Sequence, residues 1–240
     1  MLKFASLLML TAGLSSASTI TFLTPAGALD AAGGPVSASV NVGISGTAVT
    51  VTLNDLLANP KDAGQLLSDL FFTLSVTPTT VLSTTSTPTG SLINIASGGI
   101  VTSSAAAITN WDLTSSGATI HLNSLNGSGP SQTIIGPAGL GGVYTNANGS
   151  IAGNGPHNPF LNGTATFTFT VAGVSTNTTV TGASFSFGTA AGDNVAGCVS
   201  GSTNCGGGGT TGGQVPEPLS MFLMGGGLLG VGVLGKFRRA

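Results

Sequence analysis

Between Ser18 and Asn204 apolar residues recur at every second position over much of the chain. Val36, Ala38, Val40, Val42 and Ile44 alternate with Ser37, Ser39, Asn41 and Gly43. Ser45-Gly46 is a turn signal, and Val49, Val51 and Leu53 then alternate with Thr50 and Thr52. A strand points successive side chains to opposite faces, so this pattern predicts a hairpin with one face buried. Phe72, Leu74 and Val76 repeat it, as do Ile93 with Ile95 and Ile120 with Leu122. A second strong pair consists of Ala165, Phe167, Phe169 and Val171, then Ala183, Phe185 and Phe187, with a Gly, Ser, Thr and Asn stretch between them. β-Branched and aromatic residues in these runs, with turn clusters between, predict an all-β fold. The expected architecture is an antiparallel β-sandwich, jelly-roll or Ig-like, of roughly eight to ten strands. Only residues 60–70 suggest a helix, with Lys61-Asp62 opening a turn and Leu66, Leu67 and Leu70 on one face. No fixed-period repeat is present, which argues against a solenoid or propeller.

The pattern changes at both ends. In residues 1–17, Lys3 precedes an apolar run from Phe4 to Leu14 that decays into Ser15, Ser16 and Ala17. One positive charge, a short apolar stretch and small residues make up a secretory signal peptide, expected to be cut after Ala17. The run is shorter than the ~20 residues a membrane span needs. Beyond the domain expected at 18–205, residues 206–214 form a Gly-rich linker of the flexible kind. Residues 219–235 are uncharged and mostly apolar, and as a helix they reach about 25 Å, the short limit for spanning a bilayer. They predict one transmembrane helix. Lys236, Arg238 and Arg239 form a basic tail that the positive-inside rule keeps in the cytoplasm, with the domain outside. Gly226 and Gly230 have the spacing that lets membrane helices approach closely.

Charge narrows the partners. Among 240 residues are 5 Lys+Arg and 7 Asp+Glu, so 5% are charged, against about 25% in ordinary soluble domains. With 41% hydrophobic residues the chain is no charge-driven disordered polymer. Lys61 is the only basic residue between Lys3 and Lys236, and it faces six Asp, at positions 30, 55, 62, 69, 112 and 193. Phosphate neutralisation needs several Lys or Arg on one surface, so nucleic-acid binding is excluded. Solubility is left to Ser, Thr and Asn. The only Glu is Glu217.

Glu217 lies in Pro216-Glu217-Pro218, immediately before the apolar segment and the basic end. A leader, a Gly-rich spacer, Pro-Glu-Pro, a short glycine-bearing span and a basic tail, in that order, resemble the PEP-CTERM sorting signal of exported bacterial proteins. The resemblance covers residues 215–240. It implies processing by signal peptidase and by a membrane-embedded exosortase, with delivery to the cell surface or the exopolysaccharide matrix, and it implies no enzyme activity. The residues themselves suit such handling. Two prolines hold the chain extended and lack backbone donors, and Glu217 is the one charge there that a protease could read.

Within the domain, Cys198 and Cys205 flank six residues, and export places them in an oxidising compartment, so a disulfide is expected. Two Cys without a nearby His fall short of a metal site, and no cofactor is expected. A hydrolase needs a nucleophile with a base, paired carboxylates or a metal. The domain holds His121, His157 and no Glu, and it lacks Gly-x-Ser-x-Gly and His-x-x-x-His, so no catalytic residues are assigned. His121 occupies a polar position of an alternating strand and is expected to face solvent; Trp111 and Leu113 are expected to face the core. The long polar loop 145–159 is the candidate binding site, since long loops in compact domains are often functional. Asn148, Asn154, His157 and Asn158 offer amide and imidazole groups suited to sugars, with Tyr144 or Phe160 as an apolar face. The Ser/Thr tract 77–89 suits O-linked sugars. The function expected is a structural or interaction role outside the cell without catalysis. The alternative is a lectin-like module for exopolysaccharide that uses the loop.

Overall fold

A computed structural model describes residues 18–82, 88–125 and 130–205. The leader, the linker, Pro216-Glu217-Pro218, the 219–235 span and the basic tail lie outside the described residues, as does part of the 77–89 tract.

The described residues are all-β in class, with fifteen strands among them. Its first half contributes β1 (Ser18–Leu23), β2 (Ala38–Ser45), β3 (Ala48–Asp55), β4 (Leu67–Leu74), β5 (Thr80–Leu82), β6 (Leu92–Ile95), β7 (Val101–Ser104), β8 (Asp112–Ser116) and β9 (Thr119–Asn123). Its second half contributes β10 (Ile134–Ile135), β11 (Phe160–Asn162), β12 (Thr164–Ala172), β13 (Val180–Phe187), β14 (Asn194–Ala196) and β15 (Cys198–Val199). A six-stranded sheet runs β15-β1-β2-β3-β12-β5. A nine-stranded sheet runs β14-β13-β4-β10-β11-β6-β7, and β9 also pairs with β4 and carries β8 on its far side.

The hairpin predicted over 36–53 forms with the expected faces. Val40, Val42, Val49, Val51 and Leu53 are fully buried, and Gly46 makes the two-residue turn at a φ of 59°, which favours glycine. They share one core with Phe167 and Phe169 of β12 and with Leu70, Phe72, Ile120, Leu122 and Phe185 of the other sheet. Trp111 lies in this core as expected, its ring edge-on to Phe167 at 5.1 Å and its indole N–H donating to the Gln132 carbonyl at 2.9 Å. Leu113 packs beside it.

Several expectations need correction. The number of strands exceeds eight to ten because many are only two to four residues long. The sheets are not wholly antiparallel, since β10 and β11 pair in parallel through Ile134 with Leu161. β12 and β13 do not pair with each other. β12 lies between β3 and β5 in one sheet, and β13 between β4 and β14 in the other, so residues 173–179 cross between sheets. Alternation fixes which face of a strand is buried and says nothing of its neighbour.

Residues 60–70 form no long helix either. Asp62 and Gln65 make a capping box around the single turn Ala63–Gln65, and Leu66 then turns extended at φ −85°, ψ 137°. Leu67 to Leu70 are buried in β4. Leu67 and Leu70 both reach the main core because a register shift opposite Ser186 and Phe187 adds one residue to β4 there, which breaks the alternation. Val76 lies beyond β4 and is exposed.

Cys198 and Cys205 form a disulfide with their Cα atoms 5.4 Å apart. It ties the last described turn to β15, which pairs with the end of β1 through Cys198 and Leu23. The Ala26 amide donates to the Cys205 carbonyl at 3.2 Å, so the end of the domain is fixed against its beginning.

Candidate functional site

Loop 145–159 is a plug. Beneath it the strand pairs Leu92-Ile93, Ile134-Ile135 and Phe160-Leu161 are buried on both faces: Leu92, Ile134 and Leu161 belong to the main core, whereas Ile93, Ile135 and Phe160 join a second cluster with Tyr144 and Ile151. Tyr144 and Phe160, expected to offer an apolar face, are 1% and 0% exposed and present none. The Tyr144 hydroxyl donates to the Gly136 carbonyl at 2.8 Å. Burial, and then the charge of Asp55, push its ionisation far upward, so it stays a neutral donor.

The loop's polar side chains serve the loop. Asn148 Oδ1 accepts from the Ser150 amide at 2.8 Å and its hydroxyl at 2.6 Å. His157 Nδ1 donates to the Ser150 carbonyl at 2.6 Å. Asn154 reaches the Gly149 carbonyl only at 3.4 Å. Asn158 does most: Oδ1 accepts from the Ile95 amide at 2.7 Å, while Nδ2 donates to the carbonyls of Asn154 at 2.8 Å and Ile95 at 3.3 Å. β11 pairs with β6 through Phe160 and Ile93, and Pro159 before it has no N–H to carry the ladder on. The Asn158 side chain takes over as the backbone partner of Ile95. The four residues are thus brought into one loop, with most of their hydrogen-bonding groups engaged within the protein.

A different constellation occupies the outward face of the nine-stranded sheet. His121 Nε2 lies 2.7 Å from Asp69 Oδ2 and 2.6 Å from Oδ1. The Asp69 side chain is 4% exposed against 24% for His121, and the imidazole stacks on Phe71 at 3.9 Å and 8°. His121 therefore does not simply face solvent: it caps a buried carboxylate. Burial raises the Asp69 carboxyl above its usual range, opposed by hydrogen bonding and charge from His121. β4 and β9 place Phe71 opposite His121, which makes Asp69 the diagonal neighbour of the histidine. The Thr114 hydroxyl lies 3.5 Å from His121 Nδ1, at the limit of a hydrogen bond. Sequence reasoning missed this pair because its signal is the register of two strands whose pairing the pattern leaves open.

Three other carboxylates hold the fold. Asp55 is 2% exposed, and its Oδ1 accepts from the Leu57 amide at 3.0 Å. Burial raises its carboxyl well above the ordinary range against backbone donors at Leu57, Leu67 and Gly136. Gly136 is required there, because a Cβ would run into the Leu57 carbonyl. Asp30 Oδ1 staples its own turn through the amides of Ala32 at 2.9 Å and Gly34 at 2.7 Å, and Asp193 accepts from Ala31 at 2.8 Å. Between these turns lies a cleft of about 360 Å³ lined largely by alanine and glycine. Among the described residues no group of three or more His, Cys, Asp or Glu is arranged to hold a metal ion.

Comparison with protein families, with curated proteins and with solved structures found no match.

Proposed function

We propose that the chain is an exported bacterial envelope or extracellular-matrix protein, handled by signal peptidase and an exosortase, with a structural or interaction role and no catalysis. One observation carries the reading: the ordered set of linker, Pro216-Glu217-Pro218, uncharged span and Lys236, Arg238 and Arg239 at the end of a chain whose domain has one Lys and no Arg. The disulfide suits an oxidising compartment and fastens the domain where the linker begins. In finer terms we read the two sheets and their shared core as a β-sandwich, jelly-roll or Ig-like in kind, preceded by a cleaved signal peptide and followed by a transient membrane helix. The outward side chains of its paired strands are mostly Ser, Thr and Asn, a hydrated and nearly uncharged surface suited to a polysaccharide setting.

The mature C-terminus, measured by intact-mass spectrometry on protein recovered from the cell surface or medium, tests this reading. Cleavage near Pro216-Glu217-Pro218 is expected. Secreted protein that still carries Lys236 to Ala240 overturns it.

A further inference from the structure

We infer that the outward face of β8-β9-β4-β13-β14 is a binding platform for a neutral polysaccharide chain. This deepens the reading above by naming a ligand and a surface, and it rests on that reading only for where the ligand is met.

The inward positions of these strands are taken by Leu70, Phe72, Ile120, Leu122 and Phe185, so the alternate positions face out. Strand register joins five of them in one row, Asp112-Asn123-Asp69-Ser186-Asn194, one residue per strand. Asp69 and Ser186 are buried, so the row presents the half-buried Asn123 and the exposed Asp112 and Asn194 to a ligand. The next row, Thr114-His121-Phe71-Ser184-Ala196, sets the stacked Phe71 and His121 rings beside it. Adjacent strands are ~4.8 Å apart, so five of them spread these groups over roughly 19 Å. That spread matches an extended ligand that carries repeated hydroxyls.

The groups have capacity to spare. Asn123 uses Oδ1 on the Leu125 amide at 2.6 Å, and Asn194 uses Oδ1 on the Ser186 hydroxyl, so both amides keep Nδ2 to donate. Thr114 and Asp112 supply exposed acceptors at the edge. The half-buried aromatic pair offers the apolar patch on which the C–H face of a sugar ring packs. Charge selects the class of sugar. Lys61, the one Lys or Arg of the domain, lies off this face in the segment before β4, and the exposed charged group of the row, Asp112, is a carboxylate, so an acidic polymer is repelled and a neutral one is not.

Affinity electrophoresis of the full chain, purified in mild detergent from the membranes of producing cells, tests the proposal. The gels contain a cellulose derivative, a dextran or a galactomannan, with alginate as the acidic comparison. At least one neutral polymer is expected to retard the protein and alginate is not. Phe71→Ala and Asn194→Ala should bind roughly tenfold more weakly. Thr114→Arg, at an exposed edge position that packing does not constrain, should do the same with an unchanged circular dichroism spectrum, and Asn148→Ala in the loop should bind like the parent. The proposal is overturned if no neutral polymer retards the parent, if alginate retards it more, if Phe71→Ala and Thr114→Arg both bind normally, or if only Asn148→Ala loses binding. The mature C-terminal mass is independent of every one of these outcomes, so failure here and failure of the sorting reading are separable.

Discussion

His121 closes over Asp69 across the β4–β9 pair, 52 residues away in sequence, and leaves the carboxylate almost without solvent. Without His121 the buried carboxylate keeps only the Leu70 backbone donor against its desolvation. His121→Ala should therefore destabilise the domain by about 1–3 kcal/mol, while His121→Gln, which can still donate to Asp69, should recover part of the loss. Urea unfolding of the two variants checks this. Equal midpoints for His121→Ala and the parent would remove the pair from the list of stabilising contacts.

Asp55 and Asp69 give stability an unusual dependence on pH. Both carboxyls are raised in the folded chain, chiefly by burial. The folded state holds these protons where the unfolded state has released them, above a pH of about 4. Their contribution is thus complete below that pH and is lost as pH rises through the elevated folded values. The melting temperature should fall from about pH 4 toward neutrality. Asp55→Asn keeps the acceptor for the Leu57 amide and removes the titration, so its profile should be flatter and its neutral-pH stability higher. A parent melting temperature that climbs steadily over the same range contradicts the assignment.

What the sequence revealed follows from what each pattern encodes. Alternation over 36–53 identified the buried valines and the Gly46 turn because a local hairpin needs no distant information. The same alternation found β12 and β13 as strands, yet it left their partners open, and they went to different sheets. Where a bulge resets the faces of a strand, as at Leu67 to Leu70, the periodicity vanishes and a helix looks equally good. The Cys198–Cys205 bridge was legible from its spacing and from the oxidising compartment that the leader predicts. The loop residues were also found, but an Asn that closes its own turn and an Asn that faces a ligand are the same letter in sequence.

The disulfide closes a short loop, its cysteines seven positions apart in sequence. Restricting the unfolded chain by a loop this size is worth about 2–3 kcal/mol. Replacing both cysteines by serine should lower the melting temperature by roughly 5–10 °C and leave the β-sheet spectrum intact. Alkylation of the unfolded protein should add mass only after reduction. Alkylation without reductant would show that the bridge is absent from the protein as produced.

Asn158 and Asn154 separate a structural loop from an available one. Asn158 supplies both an acceptor and a donor to Ile95, continuing the β6 ladder past Pro159, whereas Asn154 makes one long contact through its side chain. Asn158→Ala strands the Ile95 amide and should cost about 1–3 kcal/mol. Asn154→Ala, half-exposed and weakly bonded, should stay within about 0.5 kcal/mol of the parent. Hydrogen exchange sharpens the comparison, because the Gly153 amide bonds to the Ile95 carbonyl at 2.9 Å and closes the same corner. The Ile95 and Gly153 amides should exchange faster in Asn158→Ala and not in Asn154→Ala. If the two variants behave alike, the ladder extension is not what holds the plug over Tyr144, Ile151 and Phe160, and the apolar contacts of that cluster hold it alone.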